Sequence, residues 1–283
     1  MADPLPLRAT GARTPLEVDG LALPPGRMPL LQHGRPLKRW RYAGVYGEDV
    51  MLCAAAVRIG PARQWFWAVW DRRAGALHDA TRFAGGAVAL PGHDALRIRA
   101  RRVRADLALA PAGEPVEVVS RHGAGHIWTR KLPIRARGTV LAGGRAIDVD
   151  AAGLIDESAG YHARRTAWSW SAGVGAAADG TPVCWNLVDG VHDAPSASER
   201  TVWLDGTPAE PGPVTFAPDL SAIAGADGAA LAFVAEAERA RHDDLLLLAS
   251  DYRQPFGRFA GTLPGGTELA WGLGVMERHD VRW

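Results

Sequence analysis

Apolar positions along this chain fall into short runs, some unbroken and some alternating with polar residues, and glycine or proline interrupts them every few residues. Alternation with a period of two places successive side chains on opposite faces of a strand, whereas a helix needs apolar recurrence every three to four positions. The helical pattern is scarce. Ala229–Arg241 has the composition of a short helix, but its Leu231-Ala-Phe233-Val-Ala235 centre reads equally well as a strand. The prediction is an antiparallel all-β protein.

Strands are expected over Arg39–Tyr46, Val50–Ile59, Gln64–Asp71, Ala76–Phe83, Ala95–Leu109, Val116–His122 and His126–Lys131. Ile134–Leu141 and Arg145–Asp150 flank Ala142-Gly143-Gly144, a hairpin signal because paired glycines accept positive φ. The same grammar resumes over Tyr161–Val174, Thr181–Val188, Thr201–Asp205, Val214–Phe216, Leu231–Arg239, Asp244–Asp251, Phe256–Leu263 and Thr267–Trp283. Roughly fifteen strands are too many for one small barrel. The chain is therefore expected to fold as two consecutive antiparallel β-barrel or sandwich halves, residues 31–150 and 151–283, meeting near Ala151-Ala152-Gly153. Residues 1–30, with Pro4, Pro6, Pro15, Pro24, Pro25 and Pro29, are expected to form an extended arm wrapped on the surface.

Composition narrows the function. The 283 residues are 47% apolar and 22% charged, as in a folded globular protein. Lys+Arg numbers 32 and Asp+Glu 31, a net charge of +1, so nucleic acid and stable anchoring to an anionic membrane are not expected. The stripe Arg97, Arg99, Arg101, Arg102 and Arg104 is read as a solvated strand face whose parity switches through a bulge. Two cysteines, Cys53 and Cys184, leave no disulfide framework and no cysteine-rich zinc site. Neither a signal-peptide pattern nor an apolar run near the ~20 residues of a membrane span is evident, so a cytoplasmic location is expected.

No cofactor or metal is expected either. His122-Gly-Ala-Gly-His126 has a spacing that binds metal on a helix, but it lies in a glycine-rich loop. Gly173-Val-Gly175 lies in a strand rather than between a parallel strand and a helix, and there is no phosphate-binding loop or Gly-x-Ser-x-Gly elbow.

Parity supplies the candidate chemistry. Read as one strand, Tyr161–Trp170 puts His162, Arg164, Thr166, Trp168 and Trp170 on one face and Arg165, Ala167 and Ser169 on the other, joined by Ser171. In the last segment Trp271, Leu273, Val275, Glu277, His279, Val281 and Trp283 share the apolar, inward parity. That parity buries Glu277 and His279 among rings and aliphatic groups. A buried carboxylate needs a partner or a proton, and desolvation makes it a candidate general acid. Asp156, in a predicted turn Asp156–Gly160, is placed to orient His162. Asn186, an amide inside an apolar strand, must bridge backbone or meet a ligand.

The segments Asp156-Glu-Ser-Ala-Gly-Tyr-His-Ala-Arg-Arg-Thr-Ala-Trp-Ser-Trp170, Val183-Cys-Trp-Asn-Leu-Val-Asp-Gly190, Trp203-Leu-Asp-Gly206, Asp251-Tyr-Arg-Gln-Pro-Phe-Gly257, Gly261-Thr-Leu263 and Gly274-Val-Met-Glu-Arg-His-Asp280, with Arg39-Trp-Arg-Tyr42, resemble a bacterial family known as a domain of unknown function. That family is similar to the calycin, or lipocalin-like, superfamily, with carotenoid hydratase (hydroxyneurosporene synthase) and lipocalin-like cyclases as distant kin. The resemblance implies two calycin-like β halves and an apolar ligand pocket. It places Trp168, Trp170, Asn186, Gln254, Gly257 and Glu277 on the family's motif positions. His192 departs, since Gly190-Val-His192-Asp193 stands where the family has Gly-Val-Asn-Asp.

The function expected is binding of an apolar small molecule (polyene, terpenoid or lipid-like) in an aromatic-lined pocket, with cofactor-independent hydration, isomerisation or cyclisation. Glu277 is the candidate acid/base, paired with His162 or Arg164 and oriented by Asp156. Trp168, Trp170, Asn186, His192, Gln254, Trp271 and His279 are the candidate ligand contacts. A non-catalytic lipid carrier or sensor, and a carbohydrate-binding β-protein, are the alternatives.

Overall fold

Both the alternating and the unbroken apolar stretches are extended strand in the computed structural model, which describes residues 5–245 and 248–282. Among them the only helix is a 3-10 turn at Gly11–Arg13, and no helix is long and apolar enough to cross a membrane. Ala229–Arg241 resolves as strand, within Ala230–Leu245. Trp283, expected at the end of the inward-facing row, lies outside the described residues.

Two large antiparallel sheets account for the fold. In the first, the hydrogen-bonded order is Ala76–Arg82, Ala62–Asp71, Val50–Ile59, Lys38–Tyr46, Arg145–Gly160, Gly125–Ala142, Val103–Pro111, Ala95–Arg99 and Val88–Ala89. Val116–His122 branches off Gly125–Ala142 and carries Leu7–Thr10 on its other edge. In the second sheet the order is Thr207–Ala209, Thr201–Leu204, Pro182–Asp189, Arg165–Ala177, Thr267–Arg282, Leu248–Leu263, Ala230–Leu245, Ala222–Gly225 and Val214–Phe216. Numbered along the chain within each half, the path strands of both sheets read 4-3-2-1-9-8-7-6-5. The two halves are thus one topology used twice.

Each sheet curls around its own apolar interior. Val45, Leu52, Val69, Ile98, Leu107 and Ile134 fill the first, and Leu187, Val202, Phe216, Ile223, Phe233 and Phe259 fill the second. The central strands carry a second buried face. Tyr42, Met51, Cys53 and Leu154 meet Trp170, Ala172, Phe256 and Val275 in a layer between the halves. Burial on both faces is why Val50–Ala56 and Ser171–Gly175 read as continuous apolar or small-residue runs rather than as alternation. The N-terminal arm adds a fourth cluster, with Leu16, Leu23 and Met28 against Val119, Trp128 and Tyr161.

Three local expectations are corrected. The chain leaves the first sheet after Gly160 and enters the second at Arg165, so Ala151-Ala152-Gly153 lies mid-strand. Asp156–Gly160 is strand, not turn, paired on both sides with Lys38–Tyr42 and Ile127–Lys131. Its polar residues suit a sheet centre because Glu157 is held by Arg41 and His93, each at 2.7 Å. Finally, the arginine stripe breaks at a turn joining Ala95–Arg99 to Val103–Pro111, not at a bulge, although its arginines are solvated.

Strand approach in the second half depends on small residues. A Cβ at Gly173 would stand 2.1 Å from the Trp185 ring, which is fully buried and hydrogen-bonded through Nε1 to Ser171 Oγ at 3.1 Å. Gly173→Ala is therefore expected to cost about 1–3 kcal/mol, as overpacking does. Gly212→Ala, where nothing lies within 4 Å, should stay within about 0.5 kcal/mol of the parent. Urea denaturation of both variants checks this, and equal midpoints would refute the close approach.

Candidate functional site

The layer between the halves gives way to a cavity of about 180 Å³. It lies outside both curled interiors, against the backs of the two central strand sets. Trp40, Tyr42, Phe66 and Val57 wall it from the first half, and Trp168, Trp170, Val188 and Tyr252 from the second. The repeated topology explains its polar groups. In the first half Asp156 pairs across the ladder with Tyr42, and Ser158 with Trp40. In the second, Glu277 pairs with Trp170 and His279 with Trp168. Opposed residues on antiparallel strands share a face, so each half presents one carboxyl between two rings at the corresponding place.

The two carboxyls have different partners. Glu277 Oε1 accepts the Trp168 indole N–H at 2.8 Å, and Oε2 accepts from Tyr252 Oη at 3.0 Å and Gln254 Nε2 at 2.9 Å. All are uncharged. Burial pushes the Glu277 carboxyl up to about 7 against the opposing pull of the Trp168 and Tyr252 hydrogen bonds. Asp156 instead accepts from the Lys131 ammonium at 2.5 Å, which also reaches Glu199 at 3.2 Å. Burial raises Asp156 to about 6 against the pull of Lys131, and Glu199 adds to the rise. Two carboxyls raise the lysine's pKa against its own desolvation.

The histidines around the cavity are held neutral. His279 packs on Trp168 with ring centres 4.4 Å apart and exchanges a hydrogen bond between Nε2 and Ser250 Oγ at 2.8 Å; burial and Arg239 bring it down to about 4. His192, at φ 53°, meets Ser120 Oγ through Nδ1 at 2.6 Å, and burial, then Lys131, lowers it to about 3. His162 packs 5.0 Å from Trp40 and 5.6 Å from His122, and burial holds it well below the usual range.

A buried cation completes the site. The Arg239 guanidinium stands 4.4 Å from the centre of the Phe66 ring and 4.8 Å from that of Tyr252. Its Nη2 donates to Thr81 Oγ1 at 2.9 Å, while its Nε is buried without a partner among the described residues.

The structure gathers Glu277, His162, Asp156, Trp168, Trp170, His192 and His279 around this cavity. Asn186 and Gln254 stand behind the wall: Asn186 accepts from Trp170 Nε1 and donates to the Glu199 carbonyl, and Gln254 donates to Glu277 and accepts from Cys53. Arg164 is not brought in. The strand begins at Arg165, so parity does not extend back to Arg164, which is exposed. Trp271 is also outside, 48% exposed, because bulges at Ala176/Ala177 and Phe259/Gly261 switch the facing of the strand beside it. Lys131, Glu199 and Arg239 carried no sequence signal. Arg239 was hidden by another bulge, between Ala235 and Ala237, that turns it from the parity of Phe233 to the cavity face. His122 and His126 flank a hairpin turn, and among the described residues no cluster of three metal-ligating side chains is present.

Residues 91–283 match the model of the family described as Domain of unknown function (DUF2804). The match takes in Asp156, Arg239 and Glu277 and leaves out Trp40, Tyr42 and Phe66. No curated protein matches. The crystal structure of a candidate AttH from Nitrosomonas europaea is similar with a TM-score of 0.57 at 16% identity, covering 93% of this chain and 98% of its own. Kievitone hydratase from Nectria haematococca is similar with a TM-score of 0.50 at 9% identity, covering 96% and 95%. At these identities the likeness is one of fold.

The raised Glu277 carboxyl makes stability depend on pH. Its folded value of about 7 lies above the ordinary 4.5, so the folded state holds a proton that the unfolded state releases first. The contribution is fully present below pH 4.5 and is lost as pH rises through 7, a change of about 3 kcal/mol. The stability difference between the parent and Glu277→Gln, measured by urea denaturation from pH 4 to 8, is expected to fall by that order. A flat difference would show an ordinary carboxyl.

Proposed function

The chain belongs to the DUF2804 family, and we propose that it binds an apolar small molecule between its two halves and acts on it by cofactor-independent proton transfer at Glu277. The observation that carries this reading is the Glu277 carboxyl itself, 8% exposed, fixed by three neutral donors in the wall of a ring-lined cavity. A carboxyl near neutrality donates and regains a proton at ordinary pH.

With an alkene in the cavity, Glu277 transfers its proton to one carbon of the double bond and leaves a cation on the other. The faces of Trp168, Trp170, Trp40 and Tyr42 stabilise that cation by about 1–2 kcal/mol each where a ring lies over it. In hydration, water forms the new C–O bond and its surplus proton returns to the Glu277 carboxylate. In isomerisation or cyclisation the carboxylate instead takes a proton from the neighbouring carbon, after a second double bond has closed the ring in the cyclising case. Asp156, pinned by Lys131 on the far side, acts as a positioning group. That kievitone hydratase shares the fold supports hydration, and kinship with calycin-type hydratases and cyclases belongs to the same reading.

A non-catalytic carrier is the second reading, favoured by the satisfied hydrogen bonds of Glu277, which hold it without a ligand. Native mass spectrometry of the parent and Glu277→Gln, each purified from the source cell, separates the two. An enzyme leaves an apolar metabolite intact on the variant, and the parent converts it at a rate about 10²–10⁴-fold higher. A carrier leaves the same molecule unchanged on both. No apolar molecule on either protein refutes the binding reading.

A further inference from the structure

Arg239 is 3% exposed, yet among the described residues no carboxylate forms an ion pair with it. Two ring faces and one threonine hydroxyl surround the guanidinium, and its Nε–H, buried in the cavity wall, has no acceptor among the described residues. A desolvated cation with an unused donor is an incomplete site, because a buried charge is normally paired and hydrogen-bonded. The carboxyl nearest in role, Glu277, does not complete it: its Oε1 accepts from Trp168 and its Oε2 from Tyr252 and Gln254, and Arg239 is not among its donors. The next arginine on the same strand face, Arg241, is already satisfied by Asp243 through two 2.6 Å hydrogen bonds and lies over Phe83, 60% exposed. Of these two arginines, Arg239 is the one without a carboxylate among the described residues.

Resting on the proposed binding of an apolar molecule in this cavity, we propose that the ligand carries one carboxylate and that Arg239 binds it, the apolar body lying between the tryptophan walls. A carboxylate matches the guanidinium because it offers two planar acceptor oxygens to a planar donor group. The pairing also bears on the acid. Arg239 pulls the Glu277 carboxyl downward; a bound anion offsets that pull and so favours the protonated acid when the ligand is in place.

The test uses two compounds with one apolar body, 4-phenylbutyrate and 4-phenylbutan-1-ol, titrated calorimetrically into the full chain at pH 7.5. The parent is expected to bind the acid at least about tenfold more tightly than the alcohol, the strength of a charge-assisted hydrogen bond. Arg239→Met should bring the acid to within about threefold of the alcohol, and Arg239→Lys should restore part of the preference. Equal affinity of the parent for both compounds overturns the assignment while leaving the apolar cavity intact. An acid preference that survives in Arg239→Met places the anion elsewhere and overturns it too. Binding of neither compound overturns the apolar-ligand reading and this inference with it. Should Arg239→Met fail to fold, by circular dichroism, the parent's comparison and Arg239→Lys still decide.

Discussion

Each half can fill the inside of its own curled sheet, but its central strands have a second apolar face that only the other half can cover. That constraint organises the molecule. Lys38–Tyr46 and Arg145–Gly160 in the first half, and Arg165–Ala177 and Thr267–Arg282 in the second, occupy the same place in the same strand order. Set back to back, they bury Tyr42, Met51 and Leu154 against Trp170, Phe256 and Val275. Within each sheet the paired central strands also need residues without bulk: a Cβ at Gly274 would meet the Ala172 carbonyl of the neighbouring strand at 2.2 Å, and one at Gly153 the Gly44 carbonyl of its neighbour at 2.1 Å. The cavity lies where large rings, Trp40, Tyr42, Phe66, Trp168 and Trp170, take the place of small residues along this seam.

A repeated fold brings equivalent positions together, and the difference between them is then chemically informative. Asp156 and Glu277 occupy matching places on the last strands of the two halves. One was given a lysine and a second carboxylate, the other three neutral donors. In a common desolvated setting, these neighbours divide the roles. The carboxyl facing a cation is pinned by it, whereas the one facing neutral donors is held by hydrogen bonds alone, and burial raises both, Asp156 to about 6 and Glu277 to about 7. The histidines do not compete for this work, since burial keeps His162, His192 and His279 neutral.

The all-β class, the two halves and the burial of Glu277 are legible in the chain, with His279 half-buried beside it, because alternation and a two-face apolar strand leave direct marks on residue order. Trp168 and Trp170 are equally legible by parity. What escapes is whatever depends on register. Asp156–Gly160 looks like a turn because its two carboxylates are met by Arg41, His93, Arg130 and Lys131, which come from other segments of the chain. Lys131 and Glu199 meet Asp156 from a paired strand and a loop, and no local pattern announces either. Trp271 and Arg239 fail for one shared reason: a bulge inserts one residue, and every later side chain changes face.

Those bulges also explain how a strand can serve both the interior of its own half and the cavity behind it. In Ala230–Leu245, Leu231 and Phe233 point into the curled sheet, and beyond the break at Ala235/Ala237 Arg239, Arg241 and Asp243, of the same parity, point out of it toward the other half. In Thr267–Arg282, Leu269 packs inside, and past the neighbouring irregularities Leu273, Val275, Glu277 and His279 face the seam. Without the extra residue, Arg239, Arg241 and Asp243 would keep the facing of Phe233 and point into the core. The extra residue lets one strand place aliphatic groups on the inside and an arginine or a glutamate at the seam without breaking its alternation. The chemistry of the site therefore depends on where strand pairing slips as much as on which residues the strands carry.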